Sequence, residues 1–299
     1  YKTQYLRNKI IADQKKQVSS ESIIRLEDYN LKPNKMQVAF IKRIKELQKQ
    51  NAEKALLLSA TGTGKIFASA FAMRELNANR VLFVVHREQI AKQAYATYQR
   101  VFGSSKTYGL LSGSSRELDA EYLFSTMQMM SKSEILSRFE PDRFDAIVLD
   151  ECHHAGAESY RRIMSHFKPK LWLGMTASPD TNNYDIYDLF DHNIAYEIRL
   201  QQALEEDLLC PFHYFGITDL QIDGQMFDDT TGVQNFSRLV CDERVRYIVE
   251  NAEYFGHSGD RVKGLIFCSR KEEAKELADK LKLYKKPDGT SYRAIALTG

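Results

Sequence analysis

Residues 54–66 constrain this chain more than any other stretch. They read Lys-Ala-Leu-Leu-Leu-Ser-Ala-Thr-Gly-Thr-Gly-Lys-Ile. An apolar run passes into a loop of small residues, then a lysine, then helix-forming residues. That order predicts a strand, a phosphate-binding loop and a helix. Backbone N–H groups of such a loop converge on an anion, and the helix adds its positive N-terminal end. Gly62 and Gly64 allow positive φ and a close approach of phosphate to the backbone. Lys65 then reaches the terminal phosphates as a point charge. Against the pattern G-x-x-x-x-G-K-[ST], the stretch departs twice. Ser59 stands at the first glycine, and Ile66 stands where a hydroxyl is expected on Mg²⁺.

The rest of the chain supplies the setting. Val81 to Val85, Tyr122 to Thr126, Ala146 to Leu149 and Leu171 to Met175 are short apolar runs separated by helical patterns. Several end on polar residues. Continuous apolar strands alternating with helices predict a parallel α/β sheet, covered on both faces, with its site at the strands' C-terminal edge. Upstream, Met36, Phe40, Ile41, Ile44 and Leu47 share one helical face. Residues 185–199 are irregular, and a helix is expected from Leu200 to Leu208. Beyond Pro211, the pattern predicts a strand and loop over 212–232 and a helix over 236–255. A buried strand over 263–268, a charged helix over 271–283, a turn over 285–291 and a strand over 292–297 follow. A second α/β unit therefore begins near residue 225. Phe67, Phe71, Met73 and Trp172 read as core residues.

Composition narrows the partners. With 299 residues, 43% hydrophobic and 27% charged, the chain is an ordinary globular protein with room for more than one domain. The net charge of +2 gives no broad basic field, so a bound polyanion needs a local groove. Cys152, Cys210, Cys241 and Cys268 are scattered without a C-x-x-C pair, which favours a reducing, cytoplasmic setting over a disulfide or zinc framework. No apolar run approaches membrane-spanning length. The absence of an initiator Met and the ending on Ala-Leu-Thr-Gly suggest a piece of a longer protein.

A second motif, Asp150-Glu151-Cys152-His153-His154, closes the third of these apolar runs. An aspartate there can hold Mg²⁺ as the acidic partner of a phosphate loop. Glu151 beside it can orient or deprotonate an attacking water. Together the two motifs resemble the superfamily 2 helicases of the DExH type. Residues 59–65 (Ser59, Ala60, Thr61, Gly62, Thr63, Gly64, Lys65) resemble that family's first motif, with Ile66 departing from it. Asp150 to His153 resemble its Asp-Glu-x-His box, and Thr176, Ala177 and Ser178 its coupling motif. Gln37 sits like the family's adenine-reading glutamine. His86 and Arg87 lie in a stretch similar to its first strand-contact motif, and Ser125 and Thr126 in one similar to the second. Ser269 and Arg270 close the stretch from Leu265 to Arg270, which resembles the opening strand of the second RecA-like domain.

The resemblance implies a RecA-like parallel-sheet domain over residues 31–200, a connector over 201–224 and the N-terminal part of a second RecA-like domain over 225–299. Residues 1–30 would be a helical arm or linker. It implies ATP and Mg²⁺ as cofactors. Lys65 would bind phosphates, Asp150 the metal, and Glu151 the water, with His153 linked to Thr176. His86, Arg87, Ser125, Thr126, Ser269 and Arg270 would contact nucleic acid, DNA rather than RNA. The wording is closest to bacterial DEAD/DEAH-type proteins in which a phospholipase-D-like nuclease domain precedes the helicase core. Two other readings stand beside an active motor. Ile66 would make the chain a hydrolysis-impaired, nucleotide-gated nucleic-acid clamp. A small-molecule kinase would need an acceptor site and lid, which the Asp-Glu-x-His box and second α/β unit disfavour.

Overall fold

The computed structural model describes residues 31–154, 158–179, 185–216, 221–222, 225–226, 241–255, 263–286 and 289–297. The expected arm over 1–30 and the start of the expected helix at 236–240 lie outside them. The chain divides into two compact units, residues 1–211 and 212–299.

In the first unit, α1 (Lys35–Lys49) leads into β1 (Lys54–Ser59), α2 (Lys65–Glu75), β2 (Val81–Val85), α3 (Glu88–Phe102), β3 (Tyr108–Leu111) and β4 (Tyr122–Thr126). The short helices α4 (Met127–Met130) and α5 (Ser133–Leu136) follow. Then come β5 (Ala146–Asp150), α6 (Glu158–His166), β6 (Leu171–Thr176), α7 (Ile186–Leu189), β7 (Ile194–Ile198) and α8 (Leu200–Glu205). The seven strands form one sheet in the order β3-β4-β2-β5-β6-β1-β7. Every pairing in it is parallel.

Alternation along each strand explains why the runs are continuously apolar. Leu57, Val81, Phe83 and Val85 enter one core with Phe40, Phe71 and Tyr98 of α1, α2 and α3. Leu56, Leu58, Leu82 and Val84 enter the opposite core with Met130, Tyr160 and Phe190. Helices cover both faces, so both sides of each strand must be apolar. Trp172 and Phe71 are buried as expected, and Phe67 packs against the first core.

The second unit contains a two-residue antiparallel pair, β8 (Gln221–Ile222) with β9 (Gln225–Met226), then α9 (Asp242–Phe255) and α10 (Lys271–Leu283). Two expectations change here. Residues 263–268 and 292–297 are not in strands, and Leu265 and Phe267 are exposed. The apolar pattern is that of a strand, but a strand exists only through its neighbours' hydrogen bonds. Among the described residues of this unit neither stretch joins a strand ladder; the Tyr292 N–H donates to the Tyr284 carbonyl at 3.4 Å, beside an isolated bridge between Lys285 and Ser291. Among the described residues no helix is long and apolar enough to cross a membrane.

Candidate nucleotide-binding site

The sheet order decides where chemistry can occur. The C-terminal ends of β4, β2, β5, β6 and β1 lie side by side along one edge. They carry, in that order, Ser125–Thr126 by number 125–126, then His86 and Arg87, Asp150 and Glu151, Thr176 to Ser178, and the phosphate loop. Register ties them closely: Val85 pairs with Thr126, Asp150 with Met175, and Leu58 with Thr176.

The loop is held open by its own side chains. Gly62 and Gly64 take φ of 90° and 89°, the left-handed region that an L side chain resists. The Thr63 hydroxyl donates to the Ala60 carbonyl at 2.7 Å. The Ser59 hydroxyl, 2.5 Å from Thr63 Oγ1, is thereby left to donate to it. Ser59 therefore braces the loop from the position usually given to glycine. Lys65 Nζ donates to the Ser59 carbonyl at 3.2 Å, so its charge sits at the mouth of the loop. Thr61 is exposed and Ala60 buried. Ile66 has no hydroxyl to offer and packs, half-buried, against the core beneath α2.

Gln37 lies against this loop. It belongs to a capping box at the start of α1: Asn34 Oδ1 accepts from the Gln37 N–H at 2.9 Å, and Gln37 Oε1 accepts from the Asn34 N–H at 2.9 Å. Its Nε2 donates to the Gly64 carbonyl at 3.4 Å. The side chain expected to read a base thus also fixes α1 against the phosphate loop.

Across β6, Asp150 is buried, and its Oδ1 has no hydrogen-bond partner among the described residues. Burial, with the neighbouring Glu151 carboxylate, pushes its pKa up to about 6 against the opposing pull of Lys65. An orphaned, buried carboxylate oxygen within the electrostatic reach of Lys65 is the kind of donor a hard divalent cation takes. The residues present therefore fit Mg²⁺: Asp150 would hold it, and Ile66 offers no hydroxyl. Glu151 follows at φ 48°, a left-handed turn that costs a non-glycine residue about 1 kcal/mol or more. Its Oε2 lies 3.3 Å from His153 Nδ1, and that nitrogen lies 2.9 Å from Thr176 Oγ1. The Ser178 N–H donates to Thr176 Oγ1 at 3.1 Å. A continuous polar chain thus joins Glu151, just after β5, to the loop after β6, while Ala177 contributes only backbone and a methyl group.

The remaining expected residues are placed unevenly. His86 and Arg87 are exposed at the head of α3. Thr126 is mostly buried, and Ser125 is fully buried with its hydroxyl donating to the Thr126 carbonyl at 3.0 Å. In the second unit, Ser269 donates both its N–H and its hydroxyl to Glu273 at 2.9 Å, and Arg270 is exposed.

A family model described as "Type III restriction enzyme, res subunit" matches residues 30–181, just over half of the chain. The chain belongs to this family. The match covers the capping box, the phosphate loop, the Asp-Glu-x-His box and the coupling motif. The chain is 26% identical over 274 residues to a type I restriction enzyme EcoAI endonuclease subunit of Escherichia coli, covering 82% of the chain and 33% of that protein. It is 23% identical over 193 residues to the putative ATP-dependent helicase IRC3 of Saccharomyces cerevisiae, covering 59% of the chain and 27% of that protein. The chain thus spans about a third or less of the length of these two relatives. Among solved structures, a fragment of a putative HsdR subunit of a type I restriction enzyme from Vibrio vulnificus superposes with a TM-score of 0.63. It is 24% identical and covers 86% of this chain and 46% of that one. The ATP-dependent Type ISP restriction-modification enzyme LlaBIII bound to DNA gives 0.57 at 16% identity, covering 84% of this chain and 21% of that one. These likenesses carry the fold, an α/β RecA-like parallel sheet.

Proposed function

We propose that the chain is the ATP-dependent motor segment of a larger restriction-type enzyme that moves along DNA. The observation that carries this reading is the orphaned, buried Asp150 carboxylate beside the Lys65 phosphate loop. In it, Lys65 and the loop amides bind the β and γ phosphates, and Gln37 holds α1 to the loop and meets the base. Asp150 holds Mg²⁺, which when bound supplies charge neutralisation at the phosphates. Glu151 orients the attacking water and accepts its proton, and His153 ties Glu151 to the Thr176–Ser178 turn, numbered 176–178. His86, Arg87 and Thr126, with Ser269 and Arg270 in the second unit, contact nucleic-acid phosphates. Ser125 contributes by shaping the Thr126 backbone.

Residues 31–200 then form the first RecA-like domain, 201–224 the connector and 225–299 part of the second. An N-terminal nuclease domain in the same full-length protein completes the reading; the EcoAI relative, an endonuclease subunit, supports it. Full-length protein is expected to hydrolyse ATP with Mg²⁺, faster when DNA is added than when RNA is added. Hydrolysis indifferent to nucleic acid would overturn the motor assignment.

Ile66 favours a second reading. With the hydroxyl missing, nucleotide binds but turnover is slowed, and the chain clamps nucleic acid in a nucleotide-gated manner. Ile66→Thr separates the two. If the lost ligand costs ~3 kcal/mol in the transition state, restoring it raises the hydrolysis rate roughly 100-fold. An unchanged rate in Ile66→Thr would remove the clamp reading.

A further inference from the structure

Leu209 rests directly on the phosphate loop. A Cβ built on Gly62 would lie 3.0 Å from Leu209 Cδ2, so the leucine fills the space a side chain at that glycine would take. The contact is built into the fold. Ala60, the first loop residue, donates its N–H to the Ile198 carbonyl of β7 at 3.0 Å. Ala60, Ile198, Met36 and Ala203 form a small apolar cluster, against which Leu208 and Leu209 pack. The end of α8 places those two leucines: Asp207 takes φ 55°, and the N–H groups of Leu208 and Leu209 both donate to the Ala203 carbonyl, at 2.9 and 3.2 Å. Two residues later, at Pro211, the first unit ends.

We infer that Leu209 is a positioning residue for the nucleotide site, an apolar prop that holds the Gly62 turn of the phosphate loop in its binding conformation. A glycine-containing loop has more conformations to lose than any other, and a neighbour that restricts it beforehand lowers the entropy lost on binding. Coupling of this kind is reciprocal, so nucleotide must tighten the Leu208–Leu209 segment, numbered 208–209, as much as that segment tightens the loop. The apolar chain just before the exit from the first unit is thereby made responsive to whether the phosphate loop is filled.

The inference rests on the nucleotide-site reading, and the experiment separates the two. Binding of ADP with Mg²⁺ is measured on full-length protein for the wild type, Lys65→Ala, Leu209→Ala and Leu209→Met. Loss of the prop is expected to weaken binding roughly tenfold in Leu209→Ala, with affinity recovered to within about twofold in Leu209→Met. Hydrogen exchange at the Leu208 and Leu209 amides of the wild type is expected to slow when ADP is added, a response that needs no variant to fold. Wild-type affinity in Leu209→Ala, or exchange at these amides that ignores ADP, overturns the inference. If Lys65→Ala binds ADP as well as the wild type, the nucleotide-site reading itself falls.

Discussion

Asp150 is the residue at which fold and function pull in opposite directions. Its carboxyl is raised from an ordinary value of about 4 to about 6 by burial and by Glu151. A group that binds its proton more tightly when folded favours the native state below its unfolded value. That contribution is lost as pH rises from about 4 through about 6, a loss of order 3 kcal/mol in all. Asn at this position removes the buried charge. Asp150→Asn is therefore expected to raise the melting temperature of nucleotide-free protein at pH 7.5, to leave it nearly unchanged near pH 4.5, and to abolish Mg²⁺-dependent hydrolysis. Melting curves at the two pH values test this, and an equal shift at both would show that ionisation is not the cause. The motifs made Lys65, Asp150 and Thr176 legible in the sequence because they are consecutive words at strand ends. Leu209 was not legible, since its role depends on a helix end folding back 147 residues after Gly62 (209 − 62) onto a loop it does not neighbour in sequence.

At the scale of elements, the second unit is organised by a carboxylate that no motif announces. Glu273, in the first turn of α10, is buried and accepts from Arg244 Nη1 of α9 and from Ser269, all at 2.9 Å. Burial alone would raise its carboxyl, yet the Arg244 and Ser269 hydrogen bonds outweigh it and hold the group below its usual range. Arg244→Met leaves this buried charge without its cation. The cost should fall below the roughly 3–5 kcal/mol of breaking a fully buried pair, because the Ser269 donors remain. Melting of the second unit should drop, and drop less in Arg244→Lys; equal melting of wild type and Arg244→Met would make the pair dispensable. Strands were read with uneven success for a related physical reason. Central strands β1, β2, β5 and β6 are apolar on both faces and stand out. The edge strands β3, with Gly109 among four residues, and β7, with Glu197 and a half-buried Tyr196, look like loop because one side of an edge strand needs no partner. Conversely, Leu265 to Phe267 has the composition of a strand and, among the described residues, no pairing neighbour.

For the whole molecule, the sheet order places the expected nucleic-acid residues of the first unit on the same edge as the nucleotide residues, since β2 adjoins β5 and β4 adjoins β2. With a net charge of only +2, affinity for a polyanion has to come from a few local contacts. Each phosphate neutralised releases counterions and adds about 0.7 to the salt slope for a single strand, or about 0.9 for duplex. Arg87, exposed at the head of α3, is the candidate cation for one such contact. Arg87→Ala in the full-length protein is expected to weaken binding by a similar factor on oligonucleotides of unrelated sequence and to lower the salt slope by about one. Ser125→Ala should leave the slope unchanged, because that hydroxyl is buried and already donates to the Thr126 carbonyl. Titrations at several salt concentrations decide between a phosphate contact and a structural residue. A slope untouched in Arg87→Ala would move the nucleic acid off this edge of the sheet, away from the strand ends that hold the nucleotide.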